Sequence, residues 1–363
     1  MSTAEPRLIP LPDPLFTGDP VITLLNEPLP HGEPWSWLLA RSLFGAKALA
    51  ERLIASAPAG LLDLASEDLE RLRALRDRLR ARHSLRDLGC REATAAEHAA
   101  LDVLERGGAR ELVSLYRRFG FAPFALDTAF LWSDGIVSVR QPDTVNEELL
   151  VGYEDQLAQL RANVERFLSG KPALSVLLYG ARGTGKSTAV KALRTRFAGN
   201  GLRLIELLPE GIPGLPELLD QLHYLPQHFL LYIDDLSFST GDPGWRRLKS
   251  LLDGPVWATP KNVLFIATSN RKNLLRNSWN DRPDPGSEPA AWDSIQEQLA
   301  LADRFGMQLT FPPFDRKLYL DAVARHLGLA ELDPRTRSAA LRFAMEGRGL
   351  SGRTAKQFAD LST

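Results

Sequence analysis

The chain has 363 residues, of which 44% are hydrophobic and 25% are charged, so it is long enough for two or three domains with buried cores. Its formal net charge of −1 provides no global field that would draw it onto nucleic acid or an anionic membrane. The single cysteine, Cys90, excludes an intramolecular disulfide and a zinc site built on cysteines. Residues 1–11 do not have the pattern of a signal peptide, and no apolar run reaches the length of a membrane span, so we expect a cytoplasmic protein with no membrane partner.

The order of patterns along the chain predicts four regions. Residues 1–34 are rich in proline and lack periodicity, so we expect an extended arm. Residues 35–144 have apolar residues at helical spacing and end in two apolar runs around a Ser-Asp-Gly turn, which predicts a helical domain ending in a β-hairpin. Residues 145–312 alternate strand and helix patterns and residues 313–363 are helical only, so we expect an α/β core followed by a helical lid.

The α/β core is predicted to contain five parallel strands, because its apolar runs are continuous and suit strands that are buried on both faces. The predicted strands are 175–179, 203–207, 229–233, 263–267 and 308–311, and the predicted helices are 187–198, 215–223 and 245–252. In the lid, Asp315, the pair Asp333-Pro334 and Ser351 each predict the start of a helix.

A glycine-rich segment after the first core strand matches the phosphate-binding pattern G-x-x-x-x-G-K-[ST] at every fixed position. Glycine lets backbone N–H groups close around phosphate oxygens, and the start of the following helix favours anions. We therefore expect an ATP site in which Lys186 reaches the β- and γ-phosphates and Ser187 is a ligand of Mg²⁺. The expected cofactor-binding residues of this segment are Gly180, Ala181, Arg182, Gly183, Thr184, Gly185, Lys186, Ser187 and Thr188.

Polar side chains follow two of the predicted strands. The strand at 229–233 runs into Asp234 and Asp235, and we expect Asp234 to hold Mg²⁺ and Asp235 to orient the attacking water. ATPases with this motif usually carry a glutamate at the position of Asp235. Aspartate is one methylene shorter and reaches less far, so slow hydrolysis is expected. A role for Asp235 as a helix cap or a solvated carboxylate stays open. After the strand at 263–267, Asn270 is the predicted contact of the attacking water or the γ-phosphate, with Thr268 as the second choice.

Two arginines near the end of the chain are predicted to act on the nucleotide. Arg304 lies just before the last strand, at the place from which an arginine of AAA+ rings, which this part of the sequence resembles, reaches the γ-phosphate of the neighbouring subunit; a surface pair with Asp303 is the alternative. Arg353 follows Ser351-Gly352 and is expected to lie over the nucleotide of its own subunit. These roles imply a homo-oligomer, with a ring as one form.

With these motifs, residues 148–361 resemble the bacterial AAA+ ATP-binding family known as domain of unknown function 815. The resemblance rests on Leu-Val-Gly-Tyr-Glu at 150–154, Leu-Pro-Glu-Leu-Leu-Asp at 215–220, Asp-Asp-Leu-Ser-Phe at 234–238 and Ala-Thr-Ser-Asn-Arg at 267–271, together with the phosphate loop, Asp-Arg-Phe-Gly at 303–306 and Ser-Gly-Arg at 351–353. It implies an α/β fold with strand order 5-1-4-3-2, a helical lid, and Gly152 and Tyr153 near the adenine. It implies no substrate, because the role of that family is itself unknown.

Three classes of function fit an ATP site of this kind. The favoured interpretation is an Mg-ATP-binding ATPase that acts as a switch, loader or remodeller of an unidentified protein or nucleic-acid partner. A protein-threading unfoldase is less favoured, because the segment 208–214 lacks the aromatic residue that a threading loop carries. A small-molecule kinase is the least favoured, because the C-terminal residues are spent on Arg353 and its helix rather than on an acceptor pocket.

Two further segments stay open as partner contacts. An arginine-rich stretch at 71–82 suits either a solvated helix face or a DNA-contacting helix, with the first favoured by interspersed acidic residues. The stretch 279–292 is rich in Pro, Asp, Gly and Ser with a tryptophan at each end, which predicts an exposed insertion.

Overall fold

The computed structural model describes residues 30–82, 91–236, 259–270 and 304–362. The greater part of the predicted arm, the predicted helix at 245–252 and the predicted insertion at 279–292 lie outside these residues. The described residues form two compact units. One contains the chain up to Asp127 together with Tyr224–Gln227, and the other contains the rest.

The first unit is helical, as its apolar spacing predicts. Its helices are α1 (Pro34–Ser42), α2 (Lys47–Ala55), α3 (Ala59–Arg82), α4 (Ala95–Arg106) and α5 (Ala109–Phe119). Large side chains fill its core, and the buried Tyr116 hydroxyl donates a hydrogen bond of 2.7 Å to the Leu43 carbonyl. A capping box at Thr94 and Glu97 starts α4.

Several arginines of α3 serve the packing of this unit. The Arg73 guanidinium donates to the carbonyls of Leu104 at 2.7 Å, Val103 at 3.1 Å and Gly107, and so satisfies the last turn of α4. Arg80 donates to Ser36 Oγ at 2.7 Å and pairs with Glu33. These contacts favour a structural role for Arg73 and Arg80 of the arginine-rich stretch at 71–82.

The second unit is built on one mixed sheet. Its strands are β1 (Ala129–Trp132), β2 (Ile136–Ser138), β3 (Val176–Gly180), β4 (Leu202–Leu207), β5 (His228–Ile233), β6 (Val263–Ser269) and β7 (Met307–Phe311), in the order β2-β1-β4-β5-β6-β3-β7. The five strands from β3 to β7 are parallel and follow the relative order 5-1-4-3-2. The prediction of a five-stranded sheet is wrong, because the hairpin β1–β2 adds two strands beside β4.

The hairpin joins this sheet because β1 has apolar side chains to bury. Phe130 and Trp132 are 1% and 3% exposed, and β1 pairs in parallel with β4 from Ala129↔Leu204 to Trp132↔Leu207. The Trp132 indole N–H donates to the Gly211 carbonyl at 2.8 Å. The hairpin is therefore part of the second unit rather than an end of the helical domain.

Six α-helices of the second unit are described. They are α6 (Glu154–Leu168), α7 (Lys186–Phe197), α8 (Leu215–His223), α9 (Arg316–His326), α10 (Pro334–Met345) and α11 (Gly352–Ser362). Of these, α6 to α8 precede or connect the core strands and α9 to α11 follow the last strand as the lid. The Asp315 and Asp333 side chains accept hydrogen bonds from the first turns of α9 and α10, which confirms these predicted starts. Ser351 Oγ likewise accepts from Thr354 N at 3.1 Å at the start of α11. Among the helices of the described residues, none combines the length and apolarity that crossing a bilayer demands.

Candidate functional site

The glycine-rich segment forms a tight loop between β3 and the first turn of α7. Gly180 has a φ of 150° at the end of β3, and a Cβ there would lie 2.0 Å from the Phe311 carbonyl oxygen, so only glycine fits. Gly185 precedes α7 with a left-handed φ of 97°. Inside the loop, the buried Thr184 hydroxyl donates to the Ala181 carbonyl at 2.9 Å. The loop thus turns its backbone at the positive end of α7, where anions are stabilised.

Lys186 is enclosed by this loop. Its side chain is 5% exposed, and its ammonium group donates to the carbonyls of Gly180 at 3.0 Å and Ala181 at 2.7 Å and to Asn270 Oδ1 at 2.9 Å. Burial lowers the pKa of Lys186, while the negative charges of Asp235 and Asp234 oppose this shift. All three ammonium donors have an acceptor, so an anionic ligand would have to replace one or more of them.

Asp234 lies at the carboxyl end of β5 beside the loop. Its Oδ1 accepts three hydrogen bonds, from Ser187 Oγ at 2.9 Å, Thr268 Oγ1 at 2.6 Å and Asp235 N at 3.1 Å. Partial shielding from water raises the pKa of the Asp234 carboxyl, but the hydrogen bonds, that from Thr268 foremost, outweigh it and lower the pKa. Asp234 is therefore held as a carboxylate next to the Ser187 hydroxyl.

Asp235 has a positive φ, which is uncommon outside glycine and which Asp and Asn adopt more readily than other side chains. Its φ is 49°, and no other non-glycine residue among those described has a positive φ. Its N–H donates to Thr268 Oγ1 at 2.9 Å, and its Oδ1 accepts from Asn270 Nδ2 at 2.9 Å. Asn270 thus contacts both Asp235 and Lys186, while Thr268 contacts both aspartates.

The first turn of the last lid helix, α11, lies against the loop. The N–H of Gly352 donates to the Gly183 carbonyl at 2.9 Å, and that of Arg353 approaches the same oxygen at 3.4 Å. A Cβ at Gly183, where φ is 75°, would lie 2.9 Å from Ser351 Oγ. The structure therefore brings Arg353, whose side chain is exposed, to the edge of the loop.

Other predicted residues lie away from this cluster. Arg304 is exposed and precedes β7, whose start pairs with the start of β3, so it lies toward the sheet edge opposite the loop. Tyr153 is 1% exposed and its hydroxyl donates to the Pro312 carbonyl at 2.7 Å, while Gly152 packs against Leu318 of α9. Their adenine contact stays a prediction. Arg182 is exposed on the loop and Thr188 is half-buried in α7.

Comparison with known sequences assigns a family. The profile described as "Protein of unknown function (DUF815)" matches residues 125–363, which is more than half of the chain. The chain belongs to the DUF815 family. That description gives DUF815 proteins neither a reaction nor a partner, and every site residue predicted above lies within the matched span.

Comparison with curated proteins and solved structures adds little about this DUF815 chain. No curated protein matches it. A chain in the structure of the E. coli MS115-1 HORMA:CdnC:Trip13 complex is similar, with 14% sequence identity, coverage of 59% of this chain and 90% of that chain, and a TM-score of 0.38. No residue role in the DUF815 chain rests on that likeness.

Two polar groups beside Asp234 escape prediction from the sequence. Tyr232 belongs to an apolar strand run and Glu206 to another, so both have the pattern of core strands. The register pairs Glu206 with Tyr232 on adjacent strands, which places both side chains on one face of the sheet. Burial, and then the charge of Asp234, raise the pKa of Glu206, so the two carboxyls are close. A charged residue near the end of a buried strand is the one signal that the sequence offers.

Proposed function

We propose that this DUF815 chain binds ATP together with Mg²⁺ and is an ATPase of the AAA+ kind, acting as a nucleotide-dependent switch, loader or remodeller of a macromolecular partner. The observation that carries the proposal is the position of Lys186, which is enclosed by a glycine loop at the N-terminus of α7. A buried ammonium group, a glycine-rich backbone turn and a helix N-terminus together favour the binding of a polyphosphate. The relative order of the five parallel strands and the helical lid support the AAA+ assignment.

The residues beside the loop fit a magnesium ion. Mg²⁺ binds oxygen ligands and takes one or two carboxylates together with substrate phosphates rather than a cage of protein ligands. The Ser187 hydroxyl donates a hydrogen bond to Asp234, which leaves the lone pairs of the Ser187 oxygen available to a cation. No three His, Cys, Asp or Glu side chains form a metal-ligand group in the described parts of the chain. Bound Mg²⁺ would offset phosphate charge and orient the γ-phosphate.

Hydrolysis requires a group that orients water near the γ-phosphate. Asp235 and Asn270 share a hydrogen bond of 2.9 Å and lie beside Lys186, so we infer that they hold this water. The Asp235 carboxylate accepts a proton from the water as it attacks, and the Asn270 amide fixes the direction of that carboxylate. Arg353 at the loop and Arg304 of a neighbouring subunit would stabilise the charge that develops on the phosphate.

A threading function is less well supported than a switch or loader. The segment where a threading loop would project forms a short 3₁₀ helix, Pro209–Gly214, in which Gly211 and Ile212 are buried. The Gly211 backbone packs directly on Trp132, and its carbonyl accepts the indole N–H. A segment held in this way is poorly suited to grip a moving peptide.

Calorimetric titration of the full chain tests the proposal. We expect saturable binding of ATP in the presence of Mg²⁺, weaker binding of ATP in EDTA, and slow release of phosphate on incubation. Equal heats for buffer and ATP at millimolar concentration, with and without Mg²⁺, would overturn the proposal. If the protein binds ATP but releases no phosphate under any condition, the proposed role as a nucleotide-dependent switch stands and the proposed ATPase activity is wrong.

A further inference from the structure

We propose that Tyr232 and Glu206 form a second polar wall of the metal site, which holds a water molecule of the bound Mg²⁺ beside Asp234. This inference rests on the proposed function and deepens it. Both residues act through the water and through Asp234, so they are positioning residues. The proposal joins three features of the described residues: an unpaired buried hydroxyl, a carboxylate with one unused oxygen, and a second carboxyl on the same face of the sheet.

The first feature is the Tyr232 hydroxyl. Tyr232 is 1% exposed, and its hydroxyl makes no hydrogen bond within the described part of the chain. Tyr232 lies two residues before Asp234, so the alternation of side chains along β5 places the two on one face of the sheet. A buried hydroxyl without a partner is costly, and buried hydroxyls are usually satisfied by protein or by ordered water. The place of Tyr232 on the same face as Asp234 indicates where such a water would lie.

The second feature is the unequal use of the two Asp234 oxygens. Oδ1 accepts from Ser187, Thr268 and the Asp235 N–H, whereas no described donor reaches Oδ2. Three donors fix the carboxylate in one orientation and leave Oδ2 as an acceptor for an incoming ligand. A carboxylate arranged like this can accept a hydrogen bond from water bound to a cation.

The third feature is Glu206 on the neighbouring strand. Its register with Tyr232 sets both on the same face of the sheet, and its half-buried carboxyl is close enough to Asp234 for the negative charge to act on it. Lys191, one turn along α7 from Ser187, opposes this effect, but its ammonium group pairs with Asp143 at 3.2 Å. Two carboxyls close together at a strand end repel each other unless a cation or a donor lies between them.

A water molecule satisfies all three features together. It can accept a hydrogen bond from the Tyr232 hydroxyl and donate its two protons to the Glu206 and Asp234 carboxylates. A cation polarises the water bound to it and strengthens both donated bonds. The wall would therefore tighten the hold on Mg²⁺ without a direct bond to the ion.

The test separates metal affinity from nucleotide affinity and from folding. Tyr232→Phe and Glu206→Gln are titrated with ADP in EDTA, and in a second sample of each, freed of EDTA and metal and saturated with ADP, Mg²⁺ is titrated. We expect the affinity for ADP alone to stay within about twofold and the affinity for Mg²⁺ to fall about 10- to 100-fold, as for other partners of metal ligands. We also expect the melting temperature of metal-free Tyr232→Phe to equal or exceed that of the wild type, because an unpaired hydroxyl is removed.

Two variants of the same unit serve as controls. Tyr319→Phe removes a buried hydroxyl that bonds to the Ala340 carbonyl at 3.0 Å, so we expect a lower melting temperature and unchanged Mg²⁺ affinity. Glu147→Gln removes a carboxylate that pairs with Arg161 and Arg196, and we expect unchanged Mg²⁺ affinity. Wild-type Mg²⁺ affinity in both Tyr232→Phe and Glu206→Gln overturns this inference alone. Wild-type protein that shows no effect of Mg²⁺ on ADP or ATP binding overturns the proposed function and the inference with it.

Discussion

Lys186 donates a hydrogen bond of 2.9 Å to Asn270 Oδ1, although 84 positions separate the two residues in the chain. The same amide donates to Asp235 Oδ1 at 2.9 Å, so one side chain links the proposed phosphate-binding cation to the proposed water-orienting acid. The link exists because β6 lies between β3 and β5, and the carboxyl ends of parallel strands meet at one edge. A γ-phosphate that draws Lys186 away from Asn270 would release the amide to orient water. Under the proposed function, this contact would couple ATP binding to readiness for hydrolysis.

Replacing Asn270 tests this coupling. In Asn270→Ala we expect ATP to bind, because the loop and α7 are unchanged, and hydrolysis to fall about 10²-fold, as when one oriented polar group is lost elsewhere. Single-turnover phosphate release and calorimetric ATP affinity measure the two properties on the same sample. A variant that hydrolyses at the wild-type rate would show that Asn270 only ties Lys186 to the strand.

Asp235 requires a substitution that tolerates its backbone. Its φ of 49° suits Asn better than Ala, because Asn adopts left-handed conformations more readily. We expect Asp235→Asn to fold and to bind Mg-ATP normally. We expect its rate of hydrolysis to fall by at least about 10²-fold, since the proton acceptor is lost. Asp235→Ala should lose about 1 kcal/mol more stability than Asp235→Asn in urea unfolding. Equal turnover in Asp235→Asn and wild type would assign hydrolysis to another group.

The sequence predicts the parallel strands and the helix starts well, because each depends on local features. Continuous apolar runs such as 229–233 give strands, and aspartates such as Asp315 give caps whatever the distant contacts. The phosphate-binding motif at 180–187 can also be predicted locally, since its glycines, lysine and serine all lie within one short segment.

Features set by distant contacts escape such prediction. The pattern of the hairpin β1–β2 predicts an end of the helical region, because it does not reveal that β1 pairs with β4, more than 70 residues later. Tyr232 and Glu206 each lie between apolar residues of their strands, so only the register shows that the two are paired near the end of β5. The Asp235 N–H donates to Thr268 Oγ1, which belongs to another strand and is 33 positions away in the chain.

Arg304 tests whether the active form is an assembly. It lies toward the sheet edge opposite its own loop, so we expect Arg304→Ala to bind ATP and to lose hydrolysis about 10³-fold, as for arginines that act on a neighbour's nucleotide. Mixing it with Lys186→Ala, which retains Arg304, should restore part of the activity that neither protein shows alone. Activity that is independent of protein concentration, with no rescue on mixing, would contradict the role in trans.

Glu97 tests the stability of the helical unit. Its buried carboxylate is paired with Arg91 and Arg41 and accepts from Thr94 N, and these contacts lower its pKa despite burial, which alone would raise it. A lowered folded-state pKa stabilises the protein above the unfolded-state value of about 4.3 and loses this effect as the pH falls through the folded-state value. Glu97→Gln should cost about 2 kcal/mol at pH 7 and little at low pH. Urea unfolding at several pH values measures this, and a constant cost across the range would contradict the account.

Lys186→Ala tests the central claim most directly. The variant loses the buried ammonium group of the loop, and Lys356→Ala, which loses an exposed lysine paired with Asp360 at 3.3 Å, is the control for charge. Thermal melting first establishes that both variants fold, and calorimetry then measures Mg-ATP affinity in each and in the wild type. We predict tight binding in the wild type and in Lys356→Ala and a loss of at least about 10²-fold in Lys186→Ala, because the β- and γ-phosphates lose their cation in the loop. Unchanged Mg-ATP affinity in folded Lys186→Ala would contradict the account.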